Sequence, residues 1–201
     1  MRRTTTWLAL FGASMALIVA ACGGSSTATT PPSSTGPGAS GAPAGGGANG
    51  GFATSKQLEA TLPTSVAGVT LTTGSLDVLQ LYSTGNQTAN ILTLMVTGLG
   101  VSPAQVGAAA AADSGGKIQI VAAQFSGASS SAIQTQIEAV AKQVDPNVTL
   151  ASSTVGGKSV TTATFPGSHT GPVVAYITGD TLYLVQSSDP ALTEDAVKQL
   201  P

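Results

Sequence analysis

Apolar and polar positions divide the chain into three stretches of different physical character. Residues 7–21 are almost wholly apolar, with Ser14 as the one polar side chain, whereas residues 23–51 contain only Gly, Ser, Thr, Ala, Pro and Asn. After that, apolar residues recur with the periods typical of strands and helices. The pattern predicts a leader at residues 1–21, a linker that begins at a cysteine at residues 22–51, and a single folded domain at residues 52–201.

Helical periodicity predicts three helices in the folded domain. Residues 129–144 repeat apolar side chains every three or four positions, and Ser129 or Ser130 is suited to cap the start of this helix. Residues 87–99 show the same spacing and predict a second helix. The chain closes with a third, for which Asp189 is the expected N-cap and the following proline occupies the first turn.

Strand signals surround several short glycine-containing turns. Gly156–Gly157 and Gly179–Asp180 each separate two β-prone runs, which predicts two hairpins, because glycine adopts positive φ without steric cost. Residues 117–125 and 66–73 predict further strands.

Residues 106–112 are ambiguous. Their five alanines favour a helix, but the turn-forming sequence that follows at 113–116 favours a hairpin, so the segment is assigned as a strand with helix kept as the alternative. Together these elements predict an α+β domain, a largely antiparallel sheet with helices packed on one face.

The amino terminus determines how the chain is expected to be exported. Arg2 and Arg3 precede the apolar run, which has about 15 residues and is shorter than the roughly 20 that a membrane-spanning helix needs. The run ends in Val19-Ala20-Ala21-Cys22, which resembles the lipobox of bacterial lipoproteins. That resemblance implies cleavage before Cys22 and a diacylglyceryl group on its sulfur.

Lipidation at Cys22 predicts a location on the extracytoplasmic face of the cell membrane. Two acyl chains anchor stably, since each buried methylene contributes about 0.8 kcal/mol. The linker cannot bury enough apolar surface to fold, and a flexible chain of its length spans about 30 Å. Its Ser and Thr residues are also candidate sugar acceptors, as in mucin-like stalks.

Charge and cysteine content exclude several functions. After Cys22 the chain has five lysines, nine carboxylates and no arginine, a net charge of −4, so a nucleic-acid partner is not expected. A lipidated Cys22 leaves no thiol for a disulfide or a thiolate metal site. We expect no cofactor and no metal.

Three short motifs suggest chemistry but have simpler explanations. Gly157-Lys158-Ser159 matches the end of a P-loop, yet position 152 is serine and a strand follows, so a hairpin turn is favoured. His169 is the single histidine and is expected to lie in an exposed loop. The acidic residues near the C-terminus, which include Asp189, are expected to accept hydrogen bonds from the free amides at the start of the last helix and to interact with its dipole, rather than to bind a metal.

These observations predict a non-enzymatic interaction or structural module at the cell envelope. The final hairpin and helix loosely resemble the C-terminal part of uncharacterised secreted lipoproteins of high-GC bacteria, and this resemblance implies no activity. Envelope proteins are the expected partners, besides the membrane itself. The alternatives are a carrier of a lipid or other apolar ligand, for which the uncharged strands would form the lining, and a hydrolase that uses Ser and Asp alone.

Overall fold

The computed structural model describes residues 50–83, 87–168 and 171–201. The helices of these residues are α1 (Gly50–Thr61), α2 (Val78–Ser83), α3 (Gln87–Leu99), α4 (Ser130–Val144) and α5 (Pro190–Gln199). The strands are β1 (Ser65–Val66), β2 (Val69–Thr70), β3 (Thr72–Leu76), β4 (Val106–Ala112), β5 (Ile118–Phe125), β6 (Thr149–Val155), β7 (Lys158–Thr164), β8 (Val173–Thr178) and β9 (Thr181–Ser187).

A seven-stranded sheet in the order β3-β4-β5-β9-β8-β7-β6 forms the centre of the domain. Every neighbouring pair in it is antiparallel. Three pairs are local hairpins, and the pairing of β5 with β9 joins the two halves of the chain across the middle. β1 and β2 form a separate two-stranded ribbon.

Helices cover both faces of this sheet. On the first face, α1 and α5 pack on a core that includes Ile120 and Val185. On the second face, α2, α3 and α4 pack on a core that includes Phe125 and Leu182. Because successive residues of a strand point to opposite faces, β5 and β9 supply apolar side chains to both cores.

The predicted α+β class and antiparallel sheet are confirmed, as are both glycine hairpins and the helices α3, α4 and α5. Residues 106–112 form β4, which settles the open choice in favour of a strand. The chain was expected to place its helices on one face, whereas they lie on both. This difference arises because β4 buries successive residues from Val106 to Ala111, and β5 and β9 supply Phe125 and Leu182 to the second core besides their residues in the first.

The prediction of one continuous strand over residues 66–73 is wrong. Ala67 and Gly68 have φ of 46° and 80° and form a tight turn between β1 and β2. A two-residue turn with positive φ at both positions reverses the chain. The segment therefore forms two short strands and the start of β3.

No element was predicted for the residues of α1. Ser55 and Leu58 of α1 and Leu62, which directly follows it, are buried and lie three and four residues apart, but one of them is polar. The Ser55 hydroxyl donates to the Leu76 carbonyl at 3.3 Å and accepts from the Ala108 amide at 3.1 Å. A serine therefore occupies a core position because it completes hydrogen bonding at one end of the β3–β4 pair.

The leader, most of the linker with Cys22, and His169 lie outside the described residues. Among the helices of residues 50–83, 87–168 and 171–201, none has both the length and the apolar composition needed to cross a lipid bilayer.

Candidate functional site

Part of the second face of the sheet is only partly covered by the helices of the described residues. Ile120 of β5 and Val185 of β9 point to the first face and are 0% exposed. The next residue of β5, Val121, and the preceding residue of β9, Leu184, point to the second face and are only partly buried. We call this area the open patch, and it consists of Gln119, Val121, Val173, Leu184 and Gln186.

Strand register makes the open patch continuous. Val121 lies directly opposite Leu184, and Gln119 lies directly opposite Gln186. On the other side of β9, Gln186 lies opposite Val173. Directly opposed residues have Cβ atoms about 4.5–5.5 Å apart. The apolar pair and the amide pair therefore lie side by side on β5 and β9, and Val173 extends the open patch onto β8.

The open patch forms a shallow depression. Its volume is about 10 Å³, room for about one water molecule. Small-molecule sites usually occupy about 300–1,000 Å³ and bury most of the ligand surface. The depression is therefore far too small to enclose a lipid chain or another small molecule, and a partner would bind it as a nearly flat surface.

Charge is absent from the strands that form the open patch. β5, β8 and β9 contain no acidic or basic residue. Each glutamine amide can both donate and accept hydrogen bonds. Binding at this surface would rest on apolar contact and neutral hydrogen bonds, and it would depend little on salt concentration.

A second polar group joins α1 to β3. The Ser75 hydroxyl donates to Glu59 Oε2, and the Lys56 ammonium lies 3.0 Å from the same oxygen. The Ser75 hydrogen bond, followed by that from Lys56, lowers the pKa of the Glu59 carboxyl. A carboxylate with a lowered pKa is a weak general base, so this group is suited to linking two elements rather than to activating the serine.

The lysine of the P-loop-like motif holds the C-terminal residues. Lys158 donates to the carbonyl oxygens of Leu200 and Pro201, the latter at 3.1 Å. Its ammonium also lies 4.8 Å from the centre of the Tyr176 ring, whose hydroxyl donates to Pro201 at 2.9 Å. Because the motif lies in a β-turn and its lysine is used in this way, it makes no phosphate-binding loop.

Of the acidic residues near the C-terminus, Asp189 has the role predicted for the start of the last helix, whereas Glu194 and Asp195 lie beyond its first turn. Asp189 caps α5 by accepting a hydrogen bond from the Ala191 amide at 2.8 Å. Glu194 and Asp195 lie 2.8 and 3.8 Å from the Lys198 ammonium. In the part of the chain that the structure describes, no three residues of the types His, Cys, Asp and Glu are grouped as metal ligands.

The open patch was not among the residues singled out from the sequence. Its signal is the placement of Gln119 and Gln186 within largely apolar strands, each next to a residue that is almost wholly buried on the first face. The structure brings these two amides together. Cys22 and His169, which the sequence did single out, lie outside the described residues.

Comparison of the chain with models of known protein families, with curated protein sequences and with solved structures gives no match.

Proposed function

We propose that this chain is a non-enzymatic interaction module, held on the extracytoplasmic face of a bacterial cell membrane by lipid on Cys22. The observation that supports it best is the open patch, an uncharged area of sheet that carries two amides and is only partly covered by the helices of the described residues. The partner we propose is an envelope protein that presents an apolar side chain beside uncharged hydrogen-bonding groups.

The shape of the open patch favours a protein over a carried lipid. An acyl chain needs an elongated cavity that removes most of its methylenes from water. The depression is shallow and has a volume of only about 10 Å³. A docking protein supplies its own surface to complete the burial, so a shallow depression is sufficient for it.

The anchor is tested by membrane fractionation and mass spectrometry of the mature protein. The wild-type chain should begin at Cys22, carry the mass of a diacylglyceryl group and remain with the membrane in high salt. Cys22→Ser should leave the membrane fraction, whereas Ser25→Ala should behave as wild type. A mature wild-type chain with an unmodified cysteine would contradict the anchor.

The open patch is tested by placing a photo-reactive residue at Gln119 in intact cells. We expect crosslinking to one discrete envelope protein, and none from Gln143, an exposed glutamine on α4. Adding Val121→Lys should abolish the crosslink, because a partner would have to bury the ammonium. The lysine stem can replace the valine while its charge reaches water, so the domain should stay folded by circular dichroism.

Two results would contradict this assignment. Equal crosslinking from Gln119 and Gln143 would show that the open patch is not selective. Extractable lipid bound to the purified protein in a native mass spectrum, lost on Val121→Lys, would favour the carrier alternative.

A further inference from the structure

Strand β6 forms one outer edge of the sheet, and most of its residues are exposed. Its inner side pairs with β7 along its whole length, from Thr149 to Val155. Its four residues 151–154 are exposed, whichever face their side chains point to. No strand of the described residues pairs with its outer side, and α5 contacts β6 at the end near the turn at Gly156.

The outer side of β6 carries backbone groups of three residues. The turn between β6 and β7 has two residues, so Val155 and Lys158 flank it and form a hydrogen-bonded pair. Hydrogen-bonded and non-hydrogen-bonded pairs alternate along an antiparallel ladder. Leu150, Ser152 and Thr154 therefore direct their N–H and C=O groups away from the sheet.

β6 lacks the features that usually protect an edge strand. Its sequence, TLASSTV, has no proline and no charged residue, and its one-to-one register with β7 contains no bulge. The opposite edge of the sheet is different. There, α1 lies against β3, and Ser55 donates to the carbonyl of Leu76 while Glu59 binds Ser75.

We infer that β6 pairs with β6 of a second copy of this chain, antiparallel about a two-fold axis at Ser152. In this register Ser152 lies opposite its own counterpart, and Leu150 lies opposite Thr154 of the second copy. Three outward-facing residues on each strand then make about six intermolecular hydrogen bonds. The same patch serves both copies, as a two-fold interface requires.

The side chains of β6 suit pairing with themselves. In this register Ser152 faces a second serine and Leu150 faces a threonine, so no two large side chains are opposed. The strand has no charged residue, so no like charges are opposed either. The two-fold axis runs perpendicular to the sheet, so the second face of one copy continues into the second face of the other. The two seven-stranded sheets become one continuous sheet, with both open patches on the same side.

The register is tested by cysteine crosslinking of the full chain in the membranes of cells that produce it. In the proposed dimer, the Cα atoms of the two Ser152 residues are about 5.5 Å apart, within the range that a disulfide spans. The two Ser153 residues are diagonal neighbours, about 7–8 Å apart, and lie beyond it. The wild-type chain, whose single cysteine is Cys22, is the background control.

With a mild oxidant, Ser152→Cys should give about tenfold more covalent dimer than Ser153→Cys. Co-expression of Leu150→Cys with Thr154→Cys should give a mixed dimer. Ser152→Pro should abolish that mixed dimer, because proline removes an outward N–H and leaves the ladder to β7 intact.

Equal yields from positions 152 and 153, or dimer from neither, would overturn the proposed pairing. Crosslinks from position 152 to a different protein would also overturn it and would assign the edge to another partner. These substitutions lie on a different strand from those of the open patch. Loss of the dimer therefore leaves the Gln119 crosslink unchanged, and the two proposals fail separately.

Discussion

Replacing Glu59 with glutamine removes a negative charge between α1 and β3 while keeping the size of the side chain. In the native protein the carboxylate accepts hydrogen bonds from Ser75 and Lys56, and its side chain is 22% exposed. The variant tests whether this link contributes to the stability of the domain through the charge of Glu59.

The expected loss is about 1–2 kcal/mol at pH 7. Hydrogen bonds to charged groups contribute about 1.5–3 kcal/mol, and a glutamine retains a neutral bond of about 1 kcal/mol with Ser75. The Lys56 side chain is 58% exposed, so the ion pair adds only a few tenths of a kcal/mol.

The loss should depend on pH in one direction. The pKa of Glu59 in the folded state lies below its ordinary value of 4.5, so the unfolded chain binds the proton more tightly. The stabilisation is present above pH 4.5, shrinks as the pH falls below that value, and is lost as the pH falls through the lower pKa of the folded state. Wild type and Glu59→Gln should therefore converge in acid.

Urea unfolding of the mature protein, followed by circular dichroism at several pH values from 7 to 3, measures this difference. Asp195→Asn is the control, because Asp195 lies on the surface, 3.8 Å from a lysine that is half exposed, and should change the free energy of unfolding by less than about 0.5 kcal/mol. A loss in Glu59→Gln that stays constant with pH would refute the reasoning, because it would not arise from the charge.

Two further substitutions test contacts at the C-terminal half. Lys158→Met should lower the free energy of unfolding by about 1–2 kcal/mol, because it removes hydrogen bonds to the carbonyls of Leu200 and Pro201. Lys142→Met, at an exposed position of α4, should be nearly neutral. Equal losses in the two variants would contradict the role of Lys158 in holding the C-terminal residues. Gly171→Ala should cost at least about 3 kcal/mol by urea unfolding, because φ is +80° and a Cβ would lie 2.3 Å from the Ser187 carbonyl oxygen. Gly167→Ala, with φ of +78° and no atom within 4 Å of its Cβ, should cost only about 1–2 kcal/mol, and an equal loss at both glycines would show that the contact is unimportant.

Local chemistry explains why the hairpins could be predicted from the sequence. Gly156, Gly157 and Gly179 have φ of 59°, 82° and 58°, a region in which glycine alone is unstrained. The start of α5 is equally local, because Asp189 caps it and the proline that follows fits the first turn. Such signals act within a few residues and need no knowledge of the rest of the fold.

Features that depend on distant contacts were missed. The buried face of α1 includes Ser55, whose place in the core makes sense only beside Leu76 and Ala108. In β4, five consecutive alanines are apolar on both faces, so their pattern does not show which face a helix covers. The open patch depends on how far the α3–α4 layer extends over the sheet, a property of packing that no local pattern contains.

The proposed anchor and the proposed β6 dimer would strengthen each other through concentration. Pairing along one short edge strand buries little surface, so association in solution should be weak. Chains tethered within about 30 Å of one membrane meet at an effective concentration in the millimolar range, at which weak pairing suffices. Crosslinking of Ser152→Cys should therefore be efficient in membranes and should fall at least about tenfold when the protein is extracted into detergent and diluted to micromolar concentration. An unchanged yield after dilution would mean that the dimer is tight by itself and that the membrane adds nothing to its stability.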